Sequence, residues 1–126
     1  MKPLFFAVSG DAREAASESF RKVLGSFEPG IEVTVTAPAG LSAEARKAID
    51  PIGVATLIVS IPSAVLAVID IADRIGKRRR AQKLIDEAKR LRAEQQVEIQ
   101  IVVGATAEPL AELTPDALLD AARDDR

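Results

Sequence analysis

The sequence predicts an α+β fold of one domain spanning residues 1–126, with a small mixed sheet of about four strands and helices on one face. Two observations predict this class. Short stretches with the apolar pattern of strands alternate with longer stretches whose apolar residues recur at helical spacing. The length of 126 residues also suits a single hydrophobic core. The predicted element order is β-α-β-α-α-β-β-α.

The first three elements follow from local patterns. Leu4–Val8 is a continuous apolar run, which is typical of a buried strand. Asp11 and Glu14 resemble a capping box and predict the start of a helix. Ile31–Thr36 alternates apolar and polar residues, so we expect a strand with one solvated face. The apolar face of the helix is predicted to comprise Ala12, Ala16, Phe20, Val23, Leu24 and Phe27.

The middle of the chain is its most apolar part. A short helix is predicted from Ser42 through Ile49, and residues 51–75 then form a long, very apolar helical segment that is broken at Pro62. No side chain from Pro51 to Ile69 is charged. Apolar residues on all sides of a helix require burial on more than one face. The rest of this small chain offers too little apolar surface, so we expect contact with another copy, another protein or lipid.

A basic helical extension is predicted around residues 76–95. About half of the seventeen Lys and Arg residues fall between Arg74 and Arg92. Runs of charge on helices usually face solvent, and a phosphate or headgroup contact is the alternative interpretation. The apolar stripe of this helix is Ala81, Leu84, Ala88 and Leu91.

Three elements complete the chain. Val97–Val103 alternates like a strand, and Leu110–Leu113 is predicted as a short fourth strand. Thr114 is a favourable cap for the final helix, and Pro115 suits its first position.

Residue types exclude several chemistries. The chain has no His, Cys, Tyr or Trp, which removes imidazole acid–base catalysis, thiolate nucleophiles and the usual zinc ligands. The stretch "VSGDARE" lacks the spacing of a phosphate-binding loop. Asp70 and Asp73 are expected to pair with Arg74 and Lys77 at helical spacing. We therefore expect that the chain is not an enzyme and that it binds neither a cofactor nor a metal.

The arrangement resembles the effector-associated constant component family of bacterial conflict systems. The stretches with this resemblance are "PLFFAVSGD", "IDPIGVATLIVSIPSAVLAVIDIADRIGKRRR", "VEIQIVVGAT" and "LTPDALLDAARDD". The resemblance implies a non-enzymatic component of anti-phage or self/non-self systems, encoded beside variable effectors and NTP-driven regulators. It implies no catalytic residues.

The leading hypothesis is a cytoplasmic protein-interaction or adaptor module that associates with itself or with a protein partner. The predicted hydrophobic contact residues are Val54, Leu57, Ile58, Val65, Leu66, Val68 and Ile69.

The alternative is a protein of the inner membrane, anchored by residues 51–75 with a basic flank at residues 77–80. The length of the apolar run favours a span, but Pro62 divides it, and a span would place the strands on opposite sides of a bilayer. A nucleic-acid partner is not expected, because the pI is near 5.2 and no aromatic residue is interleaved with the basic ones. The residues predicted to contact anions or headgroups are Lys77, Arg78, Arg79, Arg80 and Lys83.

Overall fold

The computed structural model describes residues 3–27, 31–36, 43, 56–62, 65–66, 71–103 and 106–123. Within these residues the fold is α+β, with one five-stranded sheet and three α-helices, so the predicted class is confirmed. The strands are β1 (Pro3–Ser9), β2 (Thr34–Thr36), β3 (Thr56–Pro62), β4 (Glu98–Val103) and β5 (Thr106–Pro109). The helices are α1 (Arg13–Gly25), α2 (Ile71–Gln95) and α3 (Pro115–Arg123), and a 3-10 helix spans Leu110–Glu112.

The sheet has the order β2-β3-β1-β4-β5. Its first strand is therefore central, with Phe6 opposite Val59 on one side and Ile101 on the other. Every pairing among the described strands is antiparallel, so the expectation of a mixed sheet was wrong.

The main correction concerns the apolar segment at residues 51–75. Thr56–Pro62 is strand β3 and not a helix. It lies between β2 and β1, where Ile58, Val59 and Ile61 are buried. A strand that is apolar on both faces has a continuous apolar sequence, which periodicity alone does not distinguish from a buried helix. The helix predicted for Ser42 to Ile49 lies outside the described residues apart from position 43.

The helices pack on one face of the sheet and bury the main core. Phe6 of β1 meets Phe20 of α1 edge to face, with ring centroids 5.2 Å apart. The predicted apolar face of α1 is confirmed at its centre, since Ala16, Phe20 and Leu24 are buried. The predicted stripe of α2 is also buried in the core, at Ala81, Leu84, Ala88 and Leu91.

The other face of the sheet is less solvated than predicted. Ala7, Ile58 and Val102 lie together there and are buried, with Phe5 and Ala107 packed against them. Pairing of Ala7 with Ile58 and of Phe5 with Val102 places this second cluster across β3, β1 and β4.

The ends of the elements confirm one predicted cap and correct two other assignments. The hydroxyl of Thr114 accepts a 3.1 Å hydrogen bond from the backbone N–H of Ala117, as predicted for the cap of α3. Asp11 does not cap α1, which begins after Ala12 without a side-chain cap. Leu110–Leu113 is not a strand, because its first three residues form the 3-10 helix and β5 precedes them.

Candidate interaction surface

Of the predicted hydrophobic contact residues, the four that the structure describes lie mostly inside the monomer. Ile58, Val65 and Leu66 are 0%, 3% and 0% exposed, and Leu57 is half-buried in β3. The remaining three, Val54, Val68 and Ile69, lie outside the described residues. The described members satisfy their apolar surface within the fold, so they offer no exposed docking surface.

Two of the predicted anion-contact residues instead make contacts within the monomer. Lys77 is only 8% exposed, and its Nζ lies 3.3 Å from Oδ2 of Asp73, the pairing expected from the sequence. Arg80 donates a 3.0 Å hydrogen bond from Nη1 to the carbonyl of Val65. Its guanidinium carbon also lies 5.7 Å from the ring centroid of Phe27, within range of a cation–π contact.

Arg78 joins α2 to the first turn of α3. Its Nη2 and the Nη2 of Arg74 each lie 3.0 Å from Oδ1 of Asp116. Hydrogen bonds from Arg74 and then Arg78 hold the pKa of the Asp116 carboxyl below its ordinary value. The negative charge also suits the N-terminal end of a helix. Arg78 is therefore part of an interhelical ion pair and not a free cation.

Of the predicted anion-contact residues, Arg78 is exposed but ion-paired, whereas Arg79 and Lys83 are exposed and have no ion pair in the described part of the chain. They lie one helical turn apart, whereas Lys77, Arg78 and Arg80 point to other neighbours. The structure thus divides the five residues around α2 and does not bring them together as one basic patch.

A second group of ion pairs lies near the C-terminal end of α2. Arg92 donates hydrogen bonds of 2.9 and 2.6 Å to the two carboxylate oxygens of Glu98 and one of 3.2 Å to Glu112. These bonds raise the pKa of Arg92, with the hydrogen bond to Glu98 as the largest cause. The group connects α2 to β4 and the 3-10 helix, which is a structural role.

A shallow groove of about 350 Å³ lies between the end of α1 and α2. Val23 and Ser26 line one side, and the other side is charged, with Lys83, Asp86, Glu87 and Arg90. Arg90 pairs there with Glu87 and with Glu94. Among the described residues no group of His, Cys, Asp or Glu side chains could hold a metal ion.

The membrane alternative predicts a helical anchor at residues 51–75. None of the helices in the described ranges is long and apolar enough to cross a membrane. The predicted anchor at residues 51–75 contains β3, which is an inner strand of the sheet.

The two edges of the sheet differ in their chemistry. At one edge, the three residues of β2 are all exposed and uncharged, and the side chain of Val35 is 39% exposed. At the other edge, β5 contains Glu108 and ends at Pro109, which has no N–H to donate. Charges and prolines are devices that keep sheet edges from pairing with other chains. Among the described strands β2 lies at this edge, and its residues Thr34–Thr36 include neither a charge nor a proline, so this edge is the candidate interaction surface.

The strand predicted over Ile31–Thr36 is confirmed only at Thr34–Thr36, and its position at an edge was not predicted. The available signal was its composition, because Thr residues alternate there with Val and no long apolar run is present. The long apolar run belongs to β3, which lies farther inside the sheet. No family model matches the chain, and neither does any curated protein or solved structure.

Proposed function

We propose that this chain is a non-enzymatic protein-interaction module that binds an extended segment along β2. The observation that supports this function is the exposed and uncharged edge at Thr34–Thr36. An unpaired strand edge presents backbone N–H and C=O groups to which another strand adds by antiparallel or parallel pairing.

The rest of the sheet makes β2 a firm base for such pairing. Val35 lies opposite Val59 of β3, which is fully buried in the main core. The neighbouring Ile31 and Val33 are partly buried and pack against that core. An added strand would therefore meet an edge whose conformation is already held by its own side chains, which lowers the cost of ordering on binding.

The proposal includes a cytoplasmic location and a place in bacterial conflict systems. The resemblance described above supports the second part, and adjacent genes for effectors or NTP-driven regulators would test it. If a genome survey finds that this gene does not lie beside genes for effectors or NTP-driven regulators, the place in conflict systems is contradicted. The proposed binding along β2 is not affected by that result.

A labelled peptide with the sequence of residues 31–36 tests strand addition directly. We expect saturable binding to the folded chain, measured as fluorescence anisotropy. In an added strand only alternate N–H groups face the edge. N-methylation of Glu32 and Thr34, or else of Val33 and Val35, should therefore abolish binding, while the complementary pattern is tolerated. Equal tolerance of both patterns would contradict backbone pairing.

Two variants of the protein assign the peptide to an edge. Val35→Lys should weaken peptide binding at least tenfold, because a charge at the edge opposes pairing. Glu108→Lys changes the charge of β5 at the opposite edge and serves as the matched control. The control should leave the affinity for the peptide unchanged. If only Glu108→Lys weakens peptide binding, the site lies at the β5 edge and the proposed site at β2 is contradicted.

A further inference from the structure

We propose that the segment that pairs with β2 in solution is β2 of a second copy of this chain. The two five-stranded sheets would then join, antiparallel, into one continuous sheet across a two-fold axis. This inference rests on the proposed function, since it names the partner of the same edge.

The strand β2 is complementary to itself. Thr34-Val35-Thr36 has the same residue order in both directions. Antiparallel pairing centred on Val35 places Val35 opposite the partner's Val35 and Thr34 opposite the partner's Thr36. Pairs of β-branched residues and pairs of Thr are favourable directly across antiparallel strands. A closed two-fold interface requires this kind of self-complementarity.

The exposed apolar side chain of β2, Val35, lies where pairing with a second copy would cover it. Val35 is opposite Val59, so it lies on the face of the sheet that the helices cover. It is nevertheless 39% exposed, at the margin of that layer. Pairing brings the two Val35 side chains together and extends the apolar layer from one copy into the other.

The charge of the segment is also compatible with this pairing. Glu32 is the single charged residue in 31–36, and in the register centred on Val35 it does not face the partner's Glu32. The pairing thus opposes no like charges within these residues. Because the edge strand has only three residues, the contact is small, and small interfaces are characteristic of transient complexes. We expect a reversible dimer whose population rises with concentration.

Sedimentation velocity of the full chain over a wide concentration range tests the inference. Two double variants test the register as well as the dimer. Thr34→Lys with Thr36→Lys places like charges opposite each other in both symmetric contacts and should dissociate the dimer. Thr34→Lys with Thr36→Glu introduces the same number of charges but opposes Lys to Glu, so it should preserve the dimer. We expect dissociation constants that differ at least tenfold between these variants.

Both Thr side chains are exposed, so we expect each variant to remain folded, and thermal unfolding measures this. Equal effects of the two double variants would overturn the register. A wild-type chain that stays monomeric at the highest concentration would overturn the second copy as the partner. In that case, peptide binding at β2 would leave the proposed function standing, and its absence would remove both.

Discussion

Arg80 donates a 3.0 Å hydrogen bond from Nη1 to the backbone carbonyl of Val65. The sequence placed the first residue in a candidate headgroup cluster and the second in a candidate docking surface. In the fold they satisfy each other within one monomer. The same guanidinium lies over Phe27, just after α1, so it links this region to α2.

Arg80→Gln is expected to lower the free energy of unfolding by roughly 1–2 kcal/mol, because a charge-assisted hydrogen bond to a buried carbonyl is lost. Arg79→Gln is the matched control, since Arg79 is exposed and has no ion pair among the described residues. It should change stability by less than about 0.5 kcal/mol. Urea unfolding followed by circular dichroism measures both. If the two variants lower the free energy of unfolding equally, the hydrogen bond from Arg80 to Val65 does not contribute to stability.

Val65→Asp and Leu66→Asp should both unfold the domain. Each side chain is buried in the main core, and an unpaired carboxylate there has no compensating charge. Leu66→Ala gives a milder reading, with an expected loss of about 2–5 kcal/mol in the free energy of unfolding. Thermal melts and solubility on expression provide the measurement. A folded, smaller species from either Asp variant would instead indicate an interface position.

The contact between α2 and α3 should weaken in acid. The pKa of Asp116 is below its ordinary value of 3.8, so the unfolded state binds the proton more readily than the folded state. The stabilising contribution is therefore present above about pH 4 and is lost as the pH falls through the folded-state pKa.

Asp116→Asn removes this contribution, so wild type and variant should differ in stability at pH 6 and converge near pH 2. The groups are exposed, and high salt should reduce the difference at pH 6. Unfolding midpoints at several pH values measure it. A difference that grows as the pH is lowered would contradict the assigned sign.

Gly10→Ala and Gly76→Ala should have opposite effects. Gly10 has a φ of 126°, and an added Cβ would lie 3.1 Å from the carbonyl oxygen of Gln96. The substitution should therefore destabilise the domain by about 1 kcal/mol or more. Gly76 is inside α2, with open space around an added Cβ, so Ala there should stabilise the domain by roughly 0.5–1 kcal/mol. Melting temperatures that move in the same direction would refute this contrast.

Local sequence patterns predicted the elements that are determined by burial of one face or by contacts between residues close in sequence. β4 alternates because its two faces differ in burial, and Thr114 caps α3 through a contact three residues away. β3 was not predicted as a strand, because its position inside the sheet depends on pairing with β1 and β2, which are distant in sequence. Its apolar sequence alone does not indicate that pairing. β5 was not predicted, since its Thr-Ala-Glu-Pro sequence has little strand propensity and its pairing with β4 is a tertiary contact.

The candidate site depended on information that only the fold supplies. The alternation at Ile31–Thr36 predicts a strand, but whether that strand has one neighbour or two is a property of the whole sheet. Likewise, the basic residues Lys77–Arg80 are consecutive in sequence. The elements packed around α2 determine which of them form contacts within the monomer. Lys77 and Arg80 face inward, whereas Arg79 remains in solvent.

The central position of β1 has a consequence for synthesis on the ribosome. This first strand is translated early, yet one of its two neighbours, β4, follows the whole of α2. Until β4 has left the exit tunnel, one side of β1 has no strand to pair with, and Phe6 lacks Ile101 opposite it. Nascent chains that stall within α2 should therefore be protease-sensitive and bind chaperones, and protection should appear in one late step.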